Sequence, residues 1–416
     1  MEYGCIGEKL SHSFSKEIHN LLADYDYRLV ELKREDLPIF FENKGFKAIN
    51  VTIPYKLDVM PFLDSISPEA KEINAVNTIV NKDGKLYGYN TDFYGLKSLI
   101  ERYVKSFSDK TVVILGSGGT SNTAFSVAKS LNAKEIIKVS RKKQDGYITY
   151  EELYDKYSDC EIIINTTPCG MFPKINASAV DINKFNNLEA VFDAVYNPLK
   201  SKFILDAQKQ GGTATGGLYM LVSQAASAVE KFIDTEISQS KIEEVYKKIC
   251  KDKLNIVLIG MPGCGKSSVG KELEKRFSKS FVDSDNVIVE KAEKNIPDIF
   301  KVFGETYFRS LEKDVIQSIS LSNSQIIATG GGVVLNSQNI DNLKSNGRIY
   351  FIDRPLDMLA ATDDRPLSRN KEALEKRYNE RYELYREYAD VIVDGKGSVN
   401  EVAERIEADF NEYSCY

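Results

Sequence analysis

Histidine is nearly missing from this chain. Only His12 and His19 occur in 416 residues, and tryptophan does not occur at all. A His-based catalytic triad or a multi-His metal site is therefore nearly excluded, and proton transfer falls to Lys, Asp, Glu, Tyr or Cys. Long hydrophobic runs are also missing. The longest, such as Ile256–Ile259 and Ile162–Ile164, have strand length, far below the ~20 residues of a membrane span. Nor is there an excess of positive charge: 55 Lys+Arg stand against 61 Asp+Glu, a net of -6. That balance argues against nucleic acid or an anionic membrane as the main partner. The N-terminus MEYGCIGEKLSHSF has no basic region leading into an apolar run, so no signal peptide is expected and the chain reads as cytoplasmic. The cysteines are Cys5, Cys160, Cys169, Cys250, Cys264 and Cys415, with no CxxC pair among them. No zinc site follows, and a chain this long buries a core without staples, so free thiols in a reducing cytosol are expected.

What is present is an alternation. Short β-branched runs (Thr111–Leu115, Glu135–Val139, Glu161–Asn165, Ala190–Ala194, Leu254–Ile259, Gln325–Ala328 and Arg348–Ile352) are interleaved with helical patterns such as Thr123–Leu131, Lys266–Phe277 and Lys371–Tyr388. This predicts an α/β protein built from βαβ units on parallel sheets. At ~150 residues per domain the length suggests two or three domains. A boundary falls near residue 251. Ser240–Cys250 reads as a helix with Ser240 as N-cap and Ile242, Val245 and Ile249 on one face. Residues 251–253 then read as a short charged linker before a new strand.

In the second half, Gly260-Met261-Pro262-Gly263-Cys264-Gly265-Lys266-Ser267 follows an apolar strand and opens a helix. It fits GxxxxGK[ST]. Glycines let backbone N–H groups surround phosphate oxygens, the Lys neutralises the β/γ phosphates, and the Ser hydroxyl reaches Mg²⁺. Further along come Asp283 and Asp285 at a strand end, Arg309 three residues before Glu312, and Gly330-Gly331-Gly332 after a strand. Arg365 in RPL and Arg381 in a helix complete the series. Singly, these read as caps, surface pairs and turns. In order, they resemble shikimate kinase over residues ~254–416. The resemblance implies a P-loop kinase with a parallel sheet, in which Gly260, Gly263, Cys264, Gly265, Lys266, Ser267 and Ser268 hold ATP. It implies that Asp285 orients or deprotonates the acceptor hydroxyl, and that Ser267 and Asp283 support Mg²⁺. Arg309 and Arg381 would clamp a carboxylate, with Glu312 steadying Arg309. Gly330, Gly331 and Gly332 would let backbone approach the ring, and Arg365 would act from a lid during phosphoryl transfer. The family usually carries another Arg just before this lid; here the stretch reads Leu359-Ala360-Ala361-Thr362, and the lid Thr362–Asn370 is short.

In the first half, the strand TVVIL leads into Gly116-Ser117-Gly118-Gly119-Thr120-Ser121, a partial match to a dinucleotide pyrophosphate turn. The next strand ends in Ser140-Arg141-Lys142-Lys143. An NAD site wants an acid there, whereas positive groups suit a 2′-phosphate, so NADP is preferred. Upstream, Ser13 and Ser15, Thr52, Lys56 after Pro54, Asn77, and Asp92 at a strand end suit a polyhydroxylated acid. They offer hydroxyls and an amide for its OH groups, with one cation and one anion at the reacting carbon. The runs SHSFS, NVTIPYK, AVNT, YNTD, GSGGT, INTTPCGM, DAVYNP and GGLYMLVSQAA together resemble shikimate dehydrogenase over residues ~1–250. The resemblance implies a two-lobed enzyme. Its substrate lobe would comprise residues 1–92 and 216–250, and its Rossmann-type NADP lobe residues 93–215. Ser13, Ser15, Thr52, Asn77, Asp92, Gln224 and nearby Tyr196 would bind substrate, and Lys56 and Asp92 would be the catalytic pair. Gly116, Gly118, Gly119, Ser140, Arg141 and Gly217 would serve the cofactor, with Asn165, Thr166 and Met171 lining its nicotinamide side. Ser140 stands where the family more often has Asn, and Thr120 and Ser121 where it has alanines.

The two resemblances support each other, because the product implied for the first half is the substrate implied for the second. The expectation is a bifunctional enzyme that reduces 3-dehydroshikimate with NADPH and phosphorylates the shikimate 3-hydroxyl with ATP and Mg²⁺. Its partners would be small molecules, with no nucleic acid and no membrane. One rival is a quinate/shikimate dehydrogenase using NAD, fused to a weak or nucleotide-relaxed kinase. Another is a binding or regulatory protein that lost catalysis, against which Lys56, Asp92, Lys266 and Asp285 all speak.

Overall fold

The computed structural model describes residues 1–10, 13–359 and 371–415. It divides into two compact units, Met1–Ile249 and Cys250–Tyr416. The first unit carries two sheets. One is formed by β1 (Tyr3–Gly7), β2 (Tyr27–Glu31), β3 (Ala48–Val51), β4 (Ser65–Ile66), β5 (Thr78–Lys82) and β6 (Lys85–Tyr89), in the order β2-β1-β3-β5-β6-β4. It is mixed: β3 is antiparallel to β5, and β5 to β6. The β5–β6 hairpin closes on Asp83-Gly84, both at positive φ (52° and 81°), the turn that matches strand twist. Its exit strand delivers Tyr89 directly to Asn90-Thr91-Asp92.

The other sheet is formed by β7 (Thr111–Leu115), β8 (Glu135–Val139), β9 (Ile162–Asn165), β10 (Ala190–Asp193) and β11 (Thr213–Thr215), in the order β11-β10-β9-β7-β8 and parallel throughout. Helices cover both faces of such a sheet, so its strands are continuous β-branched runs rather than alternating ones. Ile162, Ile163 and Ile164 are all fully buried. The helix Leu218–Ile233 lies against Asp92–Glu101. Their approach is close at Gly95, where a Cβ would stand 2.5 Å from the Met220 carbonyl oxygen.

The second unit holds one parallel sheet of β12 (Asn255–Ile259), β13 (Ser280–Asp283), β14 (Gln325–Ala328), β15 (Gly347–Asp353) and β16 (Val391–Asp394), in the order β13-β14-β12-β15-β16. The loop of greatest interest leaves its central strand, β12. The helix Lys371–Tyr388 has the expected bounds, and the helix expected over Lys266–Phe277 starts at Lys266 but ends at Glu274.

Three expectations need correction. The helix expected at Ser240–Cys250 runs from Gln239 to Lys253, so residues 251–253 are helix rather than linker. Lysines at its C-terminus suit the helix dipole, and Lys279 Nζ donates to the carbonyls of Lys251, Asp252 and Leu254 (2.7, 3.1 and 2.8 Å), helping to satisfy the open end of the helix. The cap is Ser238, whose Oγ accepts from Lys241 N at 3.2 Å, not Ser240. The six cysteines are not all free. Cys250 and Cys415, 165 residues apart and 6.4 Å between Cα atoms, form a disulfide, a pairing made by tertiary packing that no local spacing signals. Among the described residues, no helix is long and apolar enough to cross a membrane.

Candidate functional site

In the first unit, Lys56 leaves β3 through Pro54 on a short loop. Its neighbour Tyr55 is buried and donates to the Leu32 carbonyl at 2.6 Å, which anchors that loop. Asp92 opens the helix Asp92–Glu101. The two meet: Lys56 Nζ forms an ion pair with Asp92 Oδ2, with side chains only 16% and 9% exposed. Beside them lies a buried polar network. Asn77 Oδ1 accepts from Thr91 N (2.7 Å), Asn77 Nδ2 donates to Thr91 Oγ1 (3.1 Å) and to Gln224 Oε1 (3.5 Å), and Thr91 Oγ1 donates to Gln224 Oε1 (3.3 Å). Asn77, Asp92 and Gln224, 147 residues apart at the extremes, are thus brought together. Thr78 and Asn50 extend the network, Asn50 Nδ2 donating to Thr78 Oγ1 at 3.1 Å while its Oδ1 accepts from Tyr27 at 2.7 Å. Sequence reasoning did not single out Thr91, Thr78, Asn50 or Tyr27. Asn50 and Thr91 sit inside NVTIPYK and YNTD, and their alignment on paired strands is the signal that could have found them.

A second group gathers nearby. Ser13 Oγ donates to Ser15 Oγ (3.0 Å) and accepts from Ser15 N (3.2 Å). Tyr196 hydrogen-bonds to Ser13, and burial pushes its phenol up to about 12. Ser15 is the first residue of the helix Ser15–Leu22. Thr52 packs at the end of β1, its methyl 2.7 Å from where a Gly7 Cβ would stand. Cys5 on β1 lies within electrostatic reach of Lys56, and Tyr196 within reach of Cys5, which puts the two groups around one strand.

The dinucleotide turn behaves as glycine chemistry requires. Gly116 sits at φ 115°, and a Cβ there would stand 2.7 Å from Thr166 Oγ1. Gly118 has open space on its Cβ side, so a ligand can approach the start of the helix Gly119–Ser130. Gly217 caps the helix Leu218–Ile233, and its missing Cβ would collide with the Ala194 carbonyl oxygen at 2.4 Å. Arg141 is exposed after β8, whereas Ser140 is buried and shapes that loop, accepting from Lys142 N at 3.2 Å and donating to Lys142 O at 2.9 Å. Thr166 is half-buried and Met171 exposed. Asn165 departs from expectation. It is fully buried, its Oδ1 accepts from Thr167 N and Oγ1 (3.0 and 2.7 Å), and its Nδ2 donates to Asp193 at 2.9 Å. It is an internal strut rather than an exposed lining residue, its amide being committed to the buried Asp193.

In the second unit, Gly260, Gly263 and Gly265 hold φ of 147°, 81° and 99°, a backbone region that L side chains rarely adopt. Lys266 is buried and its Nζ donates to the carbonyls of Gly260 (2.9 Å) and Met261 (3.0 Å), with Cys264 Sγ 3.7 Å away. Ser267 Oγ donates to Asp283 Oδ2 at 2.6 Å. Ser268 is exposed on the same helix. Asp283, not Asp285, caps the next helix by accepting from Asp285 N at 3.0 Å, so the Asp285 carboxylate is not spent on the cap.

Asp285 instead lines a cavity of about 470 Å³ together with Ser267, Asp283, Arg309, Glu312, Gly330, Gly331, Gly332 and Arg381. Arg309 is doubly held: Nη1 donates to Glu312 (2.8 Å) and Nη2 to Glu305 (3.1 Å). Glu312 is 2% exposed; burial raises its carboxyl above the usual range, against the pull of Arg309. Arg381 Nη1 donates to the Gly331 carbonyl (3.0 Å), which also accepts from Tyr385 (2.5 Å). The three glycines allow close approaches: a Cβ would stand 2.6 Å from Asp285 Oδ1 at Gly330, 2.8 Å from Pro262 at Gly331 and 2.1 Å from Arg309 at Gly332. Sequence reasoning missed Arg377, one turn before Arg381, which also lines this cavity. Arg365 lies outside the described residues.

The first unit is therefore an α/β enzyme fold with a dinucleotide turn and a shielded Lys–Asp pair, and the second is a P-loop phosphotransferase fold. Residues 5–79 match the family model of the shikimate dehydrogenase substrate binding domain, and residues 262–410 that of shikimate kinase. Over 269 residues the chain is 39% identical to a Clostridium perfringens protein named shikimate dehydrogenase (NADP(+)), covering 59% of this chain and 97% of that protein. A Methanosphaera stadtmanae protein of the same name is 34% identical over 271 residues, covering 59% and 95%. Among solved structures, shikimate dehydrogenase 1 of Peptoclostridium difficile is 37% identical, with TM-score 0.56 over 60% of this chain and 98% of its own. A chorismate mutase/shikimate 5-dehydrogenase fusion from Clostridium acetobutylicum is 36% identical, with TM-score 0.55 over 59% and 96%. The chain belongs to the shikimate dehydrogenase family, and it carries a shikimate kinase domain behind that part.

Proposed function

We propose that this chain reduces 3-dehydroshikimate to shikimate with NADPH and phosphorylates the shikimate 3-hydroxyl with ATP. The observation that carries the reading is the pairing, in one chain, of the shielded Lys56–Asp92 ion pair with the Asp285–Arg309–Arg381 cavity beside a phosphate loop. The product of the first chemistry is the acceptor of the second. The dehydrogenase would use residues 1–92 and 216–250 for substrate and 93–215 for cofactor, and the kinase residues 254–416.

In the reductase, Asn77, Gln224, Ser13, Ser15, Thr52 and Tyr196 hold the hydroxyls and carboxylate of the acid and set its ketone beside Lys56. Lys56 stabilises the negative charge that grows on the ketone oxygen and delivers the proton to it. Asp92 fixes the ammonium in place. NADPH supplies the hydride when bound. Gly116, Gly118 and Gly119 suit its pyrophosphate, the turn being open to a ligand at Gly118, and exposed Arg141 suits its 2′-phosphate.

In the kinase, Arg309 and Arg381 grip the shikimate carboxylate and Asp285 orients the attacking hydroxyl. Lys266 draws the transferred phosphoryl charge, joined by Arg365. Ser267 and Asp283 pair a hydroxyl with a carboxylate at the mouth of the loop, a set that suits Mg²⁺ shared with phosphate oxygens. Mg²⁺ supplies charge neutralisation along the phosphates.

The test is direct. Purified chain given 3-dehydroshikimate and NADPH should oxidise NADPH, faster than NADH, and should release ADP from ATP only when shikimate is present. Failure of either reaction removes that half of the reading.

A further inference from the structure

Arg354 is the first residue after β15, and β15 is the sheet neighbour of β12, whose end feeds the phosphate loop. This topology sets Arg354 beside the loop on the side away from β14. The two are neighbours: a Cβ placed on Gly265 would stand in ordinary van der Waals contact with Arg354 Nη1, at 3.9 Å. Gly265 is the N-cap of the helix Lys266–Glu274 and turns there at φ 99°. Arg354 is half-buried, and its Nε is buried with no hydrogen-bond partner. Among the described residues it forms no ion pair. Arg309 and Arg381, at the acceptor cavity, are by contrast engaged, Arg309 by Glu305 and Glu312 and Arg381 by the Gly331 carbonyl.

A guanidinium carries five N–H donors in a planar fork and matches phosphate oxygens two at a time. Holding one partly out of water without a counter-charge is unfavourable unless a ligand completes it. Lys266 is folded into the loop toward Gly260 and Met261, so it meets phosphate from within the cradle, whereas Arg354 reaches the Gly265 end from outside it.

We propose that Arg354 is a second cation of the nucleotide site, its guanidinium engaging the phosphate chain at the Gly265 end of the loop. This rests on the phosphoryl-transfer reading of the second unit. The ligand chemistry is a polyphosphate monoester, and the contact is to phosphate rather than base.

The full-length chain tests it with Arg354→Ala and Arg354→Lys. ADP and inorganic tripolyphosphate should each bind about tenfold more weakly to Arg354→Ala, while adenosine binds as to wild type. The KM for ATP should rise by about the same factor with the KM for shikimate unchanged, and Arg354→Lys should recover part of the loss. Unchanged reductase kinetics and an unchanged unfolding midpoint would show that the variants are folded. ADP affinity within twofold of wild type in Arg354→Ala, or an equal loss for adenosine, would overturn the assignment. A wild-type chain that binds neither ADP nor tripolyphosphate would overturn the phosphoryl-transfer reading along with it.

Discussion

Two buried side chains set opposing pH dependences. His19 is fully buried; its Nδ1 lies 2.7 Å from the Tyr25 hydroxyl and its ring stacks 3.9 Å from Tyr27. Burial drives its pKa down to about 3 from 6.5. The unfolded chain therefore binds the proton that the folded chain refuses, and stability falls as pH drops from about 6.5 toward 3. Asp193 runs the other way. Burial raises it to about 7 from 3.8, against hydrogen bonds from Ser201, Val195 N and Asn165. The folded chain there holds a proton that the unfolded chain releases, so stability falls as pH rises from about 4 to 7 and is level above that. Unfolding midpoints measured across pH 4–8 should show Asp193→Asn flattening the neutral limb and His19→Asn flattening the acidic one. A shared, unchanged profile would refute both assignments. The shortage of His is a sequence fact that pointed away from imidazole catalysis. That the remaining His19 sits inside an aromatic core follows only from β1, β2 and its own helix packing together.

Among elements, the glycine turn Gly330–Gly332 and the C-terminal tail carry the sharpest consequences. Gly332→Ala would push a methyl into Arg309, 2.1 Å from the ideal Cβ, and displace the guanidinium from the cavity. The expected result is a KM for shikimate in the kinase reaction raised about tenfold or more, with the KM for ATP little changed; equal rises in both would count against it. The disulfide joins the helix Gln239–Lys253 to the tail at Cys415 across 165 residues. Closing so long a loop stabilises by about 2–4 kcal/mol. Dithiothreitol should therefore lower the unfolding midpoint of the second unit in the wild-type chain and leave that of Cys415→Ser unmoved. Both elements were visible in the sequence as elements, the turn as three glycines and the helix by its apolar face. Their partners were not, because Arg309 and Cys415 reach them through the tertiary fold.

For the whole molecule, the two chemistries are separable by single changes. Lys56→Ala should cost the reductase roughly 10²–10⁴-fold and leave ADP release intact, and Lys266→Ala should do the reverse. Parallel loss of both activities in a folded single variant would contradict two independent sites. Much of this was determined by the sequence alone. Continuous β-branched runs such as Ile162–Ile164 and Ile256–Ile259 announce buried parallel strands, and glycines at positions 116, 260, 263 and 265 announce backbone that must turn toward phosphate. Lys56 follows a strand and a rigid Pro, and Asp92 follows the end of another strand. These signals are local, and local sterics and periodicity carry them. Tertiary structure alone decided that Asn165 props Asp193 in the core, that Thr91 joins Asn77 to Gln224, that Cys250 finds Cys415, and that Arg354 lies against Gly265. Each depends on which distant strands become neighbours, and that choice is made by burying the whole core at once, not by any residue's near neighbours in the chain.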